Sequence, residues 1–222
     1  MKELSHWALW LCCVVLLCGA LFAPSRDGSM TFMSTQDSLS FLLSLPVLCC
    51  TGLTIIGFLW IRRQRDVSEE ERSWALWHLT NATWWSFGCD VLSGLFGIVP
   101  ILSRHYETID IKHTDPTKRS GLDAVYLCEL FVHVPTAWIV FYGYGTRAPW
   151  TRTLESFLCG VQIIGTVAYY LPEFLDGSEN YPKGGIALWF GVYFGLLWIV
   201  LPFAILLRNV QRDIRENARK VS

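Results

Sequence analysis

Gly121-Leu-Asp-Ala-Val-Tyr126-Leu-Cys-Glu129-Leu-Phe-Val-His133-Val-Pro135-Thr-Ala-Trp138-Ile-Val-Phe-Tyr-Gly-Tyr-Gly145 is an apolar run with a carboxyl and an imidazole well inside it. Its length suits a membrane-crossing helix, because about 20 helical residues cover a hydrocarbon core of about 30 Å. An ionisable group at that depth is costly and by default marks a functional site. Tyr126, Glu129 and His133 stand at i, i+3 and i+7, which places them on one helical face. A phenol, a carboxyl and an imidazole along one stripe supply a proton donor, an acceptor and an orienting group.

Five further apolar stretches flank this one: Trp7–Pro24, Ser38–Ile61, Trp74–Ile101, Thr153–Pro172 and Gly185–Leu207. Of the 37 charged residues, 18 basic and 19 acidic, only Asp90, Asp123, Glu129 and Glu155 lie inside the six spans. Asp123 and Glu155 sit close to span ends, whereas Asp90 and Glu129 do not. The expected fold is therefore all-α, a polytopic membrane helix bundle. The 222 residues are 52% hydrophobic and 17% charged, against about 25% charged in a soluble domain. That composition excludes disorder. A net charge of −1 excludes nucleic-acid binding through a strongly basic surface. All eight cysteines lie inside apolar spans without His or Asp partners at metal-ligand spacing, so they read as small hydrophobes and no metal site is expected.

Lys and Arg fall twelve to six on alternate sides of the six spans when the C-terminus is placed in the cytoplasm. That bias puts both termini inside. Trp7–Ala23 followed by Pro24 has small residues, Ala20 and Ala23, near its end, as a cleaved leader would. A single Lys2 beside Glu3 and a long apolar run favour an uncleaved helix. Pro46 and Pro202 fall within spans, where neighbouring helices satisfy freed carbonyls. Asn81-Ala82-Thr83 matches a glycosylation sequon by accident, given its place in an apolar span.

Polar residues recur on other spans. His78, Asn81, Trp85 and Cys89 form one stripe, with Asp90 about 120° from His78 at 100° per residue. Gln162, Thr166 and Tyr169 share a face, and the last span carries Trp189, Tyr193 and Trp198. Trp7, Trp60, Trp74 and Trp150 near span ends suit an interfacial belt. Trp84, Trp85, Trp138 and Trp198 lie deeper and suit a pocket for an apolar, polycyclic or cationic guest, since indole faces attract positive charge.

Gly160-Val-Gln162-Ile-Ile-Gly165-Thr-Val-Ala-Tyr169-Tyr-Leu-Pro-Glu173-Phe-Leu-Asp176-Gly177 and Trp189-Phe-Gly-Val-Tyr-Phe-Gly195-Leu-Leu-Trp198-Ile-Val-Leu-Pro202 resemble helices of the emopamil-binding protein family, the sterol Δ8–Δ7 isomerases. Cys128-Glu129-Leu-Phe-Val-His-Val-Pro135 is similar to the sigma-2 receptor branch of the same EXPERA superfamily. The resemblance implies a five-helix core over residues 38–207, with residues 1–37 adding an N-terminal transmembrane helix and 208–222 a basic cytoplasmic tail. It implies an endoplasmic reticulum membrane protein. It also implies a cofactor-independent isomerase that protonates a ring double bond to a carbocation and removes a neighbouring proton. The partners it implies are a sterol or terpenoid substrate and membrane lipid, with a homodimer as the assembly considered. Glu129 is then the expected proton donor. His78, His133 and Asp90 are its expected catalytic partners, and Tyr126, Trp85, Asn81, Gln162, Thr166, Tyr169, Tyr193 and Trp198 line the substrate. Four positions depart from the family pattern. Ala82 replaces a glutamate four residues after the histidine, Tyr126 aligns with a second glutamate, Gly195 replaces an asparagine, and Thr166 replaces an aspartate. Terpenoid cyclisation on the same scaffold, or sterol binding without turnover, are the alternative activities.

Overall fold

The computed structural model describes residues 6–25, 27–175, 177, 181 and 195–221. Helix α1, Trp7–Leu21, carries no charge and ends where Phe22 turns extended. A short hairpin follows, β1 Phe22–Pro24 against β2 Met30–Phe32, with Phe22 opposite Phe32 and Pro24 opposite Met30. Gly28 closes it at φ 87, and Asp27 Oδ1 accepts the Ser29 backbone N–H at 2.9 Å.

Helix α2, Thr35–Leu42, is capped by Ser34, and helix α3 is Leu45–Arg63. The single span expected over Ser38–Ile61 is therefore two helices. Pro46 sits in the first turn of α3 rather than in a helix interior, where its missing N–H has no intrahelical partner to lose.

Helix α4, Glu69–Thr80, opens on a capping box formed by Ser68 and Glu71. It runs directly into a π-helical segment, Asn81–Leu95, whose wider i→i+5 turns leave it through the Phe96 N–H bond to Val91. Gly97, at φ 63, then turns the chain into α5, Pro100–Ile109, which lies at 82° to the preceding helix. Trp74–Ile101 is thus a bent pair rather than one straight span.

Helices α6, Pro116–Cys128, and α7, Val134–Thr146, are joined by one π turn, Glu129–His133. Helix α8 is Thr151–Leu175 and α9 is Leu197–Val221. The last helix continues without a break past Leu207 into the basic segment. The span expected at Gly185–Leu207 is described only from Gly195 onward. Among the described residues three helices, Leu45–Arg63, Arg119–Thr146 and Thr151–Leu175, are long and apolar enough to cross a membrane. The bent pair makes a fourth, and α1 is a shorter apolar helix. The molecule is a helical membrane bundle.

Its surface is apolar and its interior holds the polar groups, as lipid solvent requires. Leu45, Ile56, Phe131 and Ile164 are exposed, while His78, Asn81, Ser86, His133, Glu155 and Gln162 are buried. Thr54 and Thr83 join α3 to the π segment through their hydroxyls at 2.8 Å. Trp7 stacks on Trp77 with centroids 5.4 Å apart and meets Trp74 edge-on at 6.0 Å. Trp7 and Trp74 therefore dock α1 on α4. Trp60 stacks on Tyr142 at 5.8 Å, and a Cβ at Gly145 would overlap its ring.

Candidate functional site

A cavity of about 450 Å³ lies among α1, the hairpin, the π segment, α5, α6 and α8, with Trp198 of α9 on its wall. That volume falls in the range of small-molecule sites. Three carboxyls border it, Asp90, Asp110 and Glu129, amid Trp85, Trp198 and several tyrosines. Trp85 and Trp198 meet edge-on with centroids 5.6 Å apart.

Each carboxyl has its own partner. The Tyr106 hydroxyl donates to Asp90 Oδ1 at 2.7 Å. The Tyr169 hydroxyl donates to Asp110 Oδ2 at 2.6 Å, and the Lys112 backbone N–H donates to Oδ1 at 2.9 Å. Glu129 Oε2 meets His133 Nδ1, which also lies 2.7 Å from Ser86 Oγ. A π turn from Glu129 to His133 holds this pair on adjacent turns of one helix.

Behind the cavity wall the hydrogen bonds continue with one consistent polarity. Gln162 Nε2 reaches His133 Nε2 at 2.9 Å and donates to Asn81 Oδ1 at 3.2 Å. Trp198 Nε1 donates to the same Asn81 oxygen at 3.1 Å. Asn81 Nδ2 donates to the Trp77 carbonyl at 2.8 Å. The chain closes when His133 carries its proton on Nδ1, toward Glu129, and accepts at Nε2. The Gln162 amide then donates to both neighbours. The π turn between α6 and α7, helices α8 and α9, and the π segment Asn81–Leu95 are tied together by side chains whose sequence separations reach 117 residues.

The structure sorts the expected site residues. Glu129, Asp90, Tyr126, Trp85, Thr166, Tyr169 and Trp198 line the cavity, and His133, Asn81 and Gln162 back it. Tyr193 lies outside the described residues. His78 does not join Glu129. Its Nε2 bonds Glu155 Oε1 at 2.9 Å, and both side chains are buried. The place beside Glu129 belongs to His133, because an i, i+4 pair on one helix meets locally, whereas His78 faces α8. Asp90, expected about 120° from the His78 stripe, shares the cavity with Trp85 and Cys89. His78 and Asp90 do not share a pocket, as their separation around the helix suggests, although the 100° increment itself does not hold through a π segment.

The departures from the family pattern also acquire physical meaning. Ala82 is buried. A Cβ at Gly195 would overlap the Tyr170 hydroxyl, so the glycine makes room for a tyrosine where an asparagine would collide. Similarly, a Cβ at Gly94 would fall 2.6 Å from the Tyr126 ring. Asp110, Tyr106 and Ser86 are the site and interior residues that the sequence does not single out, and Glu155 stands out there only as a carboxyl near a span end. Tyr106 and Asp110 sit in or beside a short helix between spans, where no periodicity marks them.

At the cavity rim, the Tyr126 hydroxyl lies 3.2 Å from His113 Nε2. Burial first, then the cations Arg119 and Lys112, push the His113 imidazole from its ordinary 6.5 down to about 3. The unfolded chain takes up a proton near 6.5 while the folded protein stays neutral there. Stability is therefore full above that pH and falls as pH drops toward 3. Thermal unfolding in detergent is expected at a lower temperature at pH 5 than at pH 7.5, and His113→Gln should flatten that slope. An unchanged slope in the variant would assign the acid sensitivity to another group.

Together, the bundle and its aromatic, carboxyl-lined cavity define a helical membrane protein built to enclose a lipophilic small molecule. Residues 99–209 match the family model described as EXPERA (EXPanded EBP superfamily), and the chain belongs to that superfamily. No curated protein matches the chain. Membership places the protein among sterol isomerase-related or sterol-binding membrane proteins.

Proposed function

We propose that this protein is a cofactor-independent isomerase of a sterol or related polycyclic terpenoid, acting within the endoplasmic reticulum membrane with both termini cytoplasmic. One observation carries the reading: two carboxyls with separate hydrogen-bond partners, Asp90 and Glu129, border one cavity whose walls are indole and phenol rings. The partners divide the work. Glu129 is met by the imidazole N–H of His133, the arrangement of a carboxylate that accepts a proton. Asp90 has one phenol on Oδ1 and no hydrogen bond on Oδ2 among the described residues, which suits it to deliver one. This reverses the sequence expectation that Glu129 is the donor.

In this reading the Asp90 proton adds to the alkene, whose π electrons form the new C–H bond and leave a tertiary carbocation. The rings of Trp85 and Trp198 stabilise the positive charge, a contribution of about 2 kcal/mol or more in a desolvated site. Glu129 then removes a proton from the adjacent carbon, and that C–H electron pair becomes the shifted double bond. No net proton or electron is consumed.

Membranes carrying the protein, incubated in D₂O with a Δ8 sterol, are expected to yield the Δ7 isomer bearing one solvent deuterium. Recovery of the sterol unchanged and free of deuterium overturns the assignment. Ala82 and Gly195, where the family pattern has polar residues, favour one second reading, sterol binding without turnover. It predicts saturable binding of the same sterol with no isomer formed.

A further inference from the structure

The family match begins at residue 99, so α1 and the hairpin lie outside it, yet they build one side of the cavity. Their contribution is almost wholly apolar: Val15, Leu16, Gly19, Phe22, Pro24 and Met30. Every carboxyl on the cavity comes from residues 90–129 and none from α1 or the hairpin. The cavity lining therefore divides into a carboxyl-bearing part and a hydrocarbon part, and α1 and the hairpin supply much of the hydrocarbon part.

That side is firmly placed. Ala8, Cys12 and Ala20 of α1 are buried, and Trp7 stacks on Trp77. Ser38 Oγ donates to the Ala20 carbonyl at 2.6 Å, and the Met33 backbone N–H bonds the Leu21 carbonyl at 2.9 Å. Gly19 stands inside α1, where glycine costs about 1 kcal/mol relative to alanine. Its backbone does not require glycine, since its φ is not positive. Packing does not require it either, because a Cβ there would meet only Leu102 Cδ2, at an ordinary 3.8 Å. Both Gly19 and Leu102 border the cavity. The missing side chain leaves its volume to the cavity.

We infer that α1 and the hairpin form a specificity wall that seats the hydrocarbon end of a rigid polycyclic ligand, with Gly19 setting the depth available to it. The inference rests on the reading of this cavity as the substrate site. It assigns shape selection to the N-terminal segment and leaves proton transfer to the carboxyl-bearing residues 90–129.

Photo-crosslinking of the full chain in membranes tests it, with a sterol bearing a diazirine on its aliphatic side chain as the probe. Adducts are expected on peptides spanning residues 15–30. Gly19→Leu, which fills the space toward Leu102, should lower that labelling at least fivefold, while Gly19→Ala should leave it within twofold of native. Adducts confined to other helices overturn the inference, and so does undiminished labelling of Gly19→Leu. The adduct position in the native chain decides the matter even where the leucine variant folds poorly. Labelling of residues 15–30 without any isomer formed supports the wall and sinks the isomerase, so the two readings fail separately.

Discussion

Glu129→Gln is expected to lower turnover by about 10²–10⁴-fold, the usual contribution of a positioned acid or base, while the protein still folds and binds sterol. The amide oxygen of glutamine can accept the His133 Nδ1–H as the carboxylate does, so the chain through Gln162, Asn81 and Trp198 has no reason to break. What glutamine cannot do is take a proton from carbon. The loss should therefore appear in kcat with the sterol dissociation constant nearly unchanged, the pattern of an interaction made only in the transition state. Thermal unfolding should stay within about 2–4 °C of native. A variant that retains more than a tenth of native turnover removes Glu129 from the chemistry.

The largest stability loss is expected at Glu155, away from the cavity. Its carboxylate accepts four donors: His78 Nε2 at 2.9 Å and the Tyr144 hydroxyl at 2.6 Å on Oε1, Arg208 Nη2 at 2.5 Å and Asn209 Nδ2 at 2.9 Å on Oε2. These partners come from α4, α7 and α9, so one side chain of α8 clamps three other helices. Glu155→Ala leaves a guanidinium buried without its counter-charge, a change that typically costs about 3–5 kcal/mol. Arg152 provides the control. Its pairs with Asp213 and Glu216 are at the surface, where such bridges contribute about 0–1 kcal/mol. Thermal unfolding in detergent should therefore fall far more for Glu155→Ala than for Arg152→Ala. Equal shifts would mean that the bundle does not rest on this network.

Local pattern accounts for what was readable in advance. Apolar runs with charge confined to their rims specify helices in a bilayer, and the i, i+4 relation of Glu129 and His133 brings those two groups together whatever else the chain does. Glu155 was visible only as a carboxyl near a span end. Its significance depends on Arg208 and Asn209, which arrive from residues more than fifty positions away. His78 was read correctly as a buried polar group and paired with the wrong carboxyl, because nothing in one helix says which neighbour it faces. Asp90 is recognisable from the sequence as a carboxyl deep in a span, but its neighbours are not, because the chain abandons the α-helical period at Asn81.

The sequence by itself determined the solvent, the helical class and the Glu129–His133 hydrogen-bonded pair, since each follows from composition or from spacing within a single helix. Tertiary structure alone decided that Asp90 and Glu129 share a cavity, that Glu155 joins three other helices, and that the N-terminal helix lines that same cavity. Those outcomes depend on how helices pack and where their turns widen. Packing is settled by contacts between residues far apart in the chain, which no local period encodes.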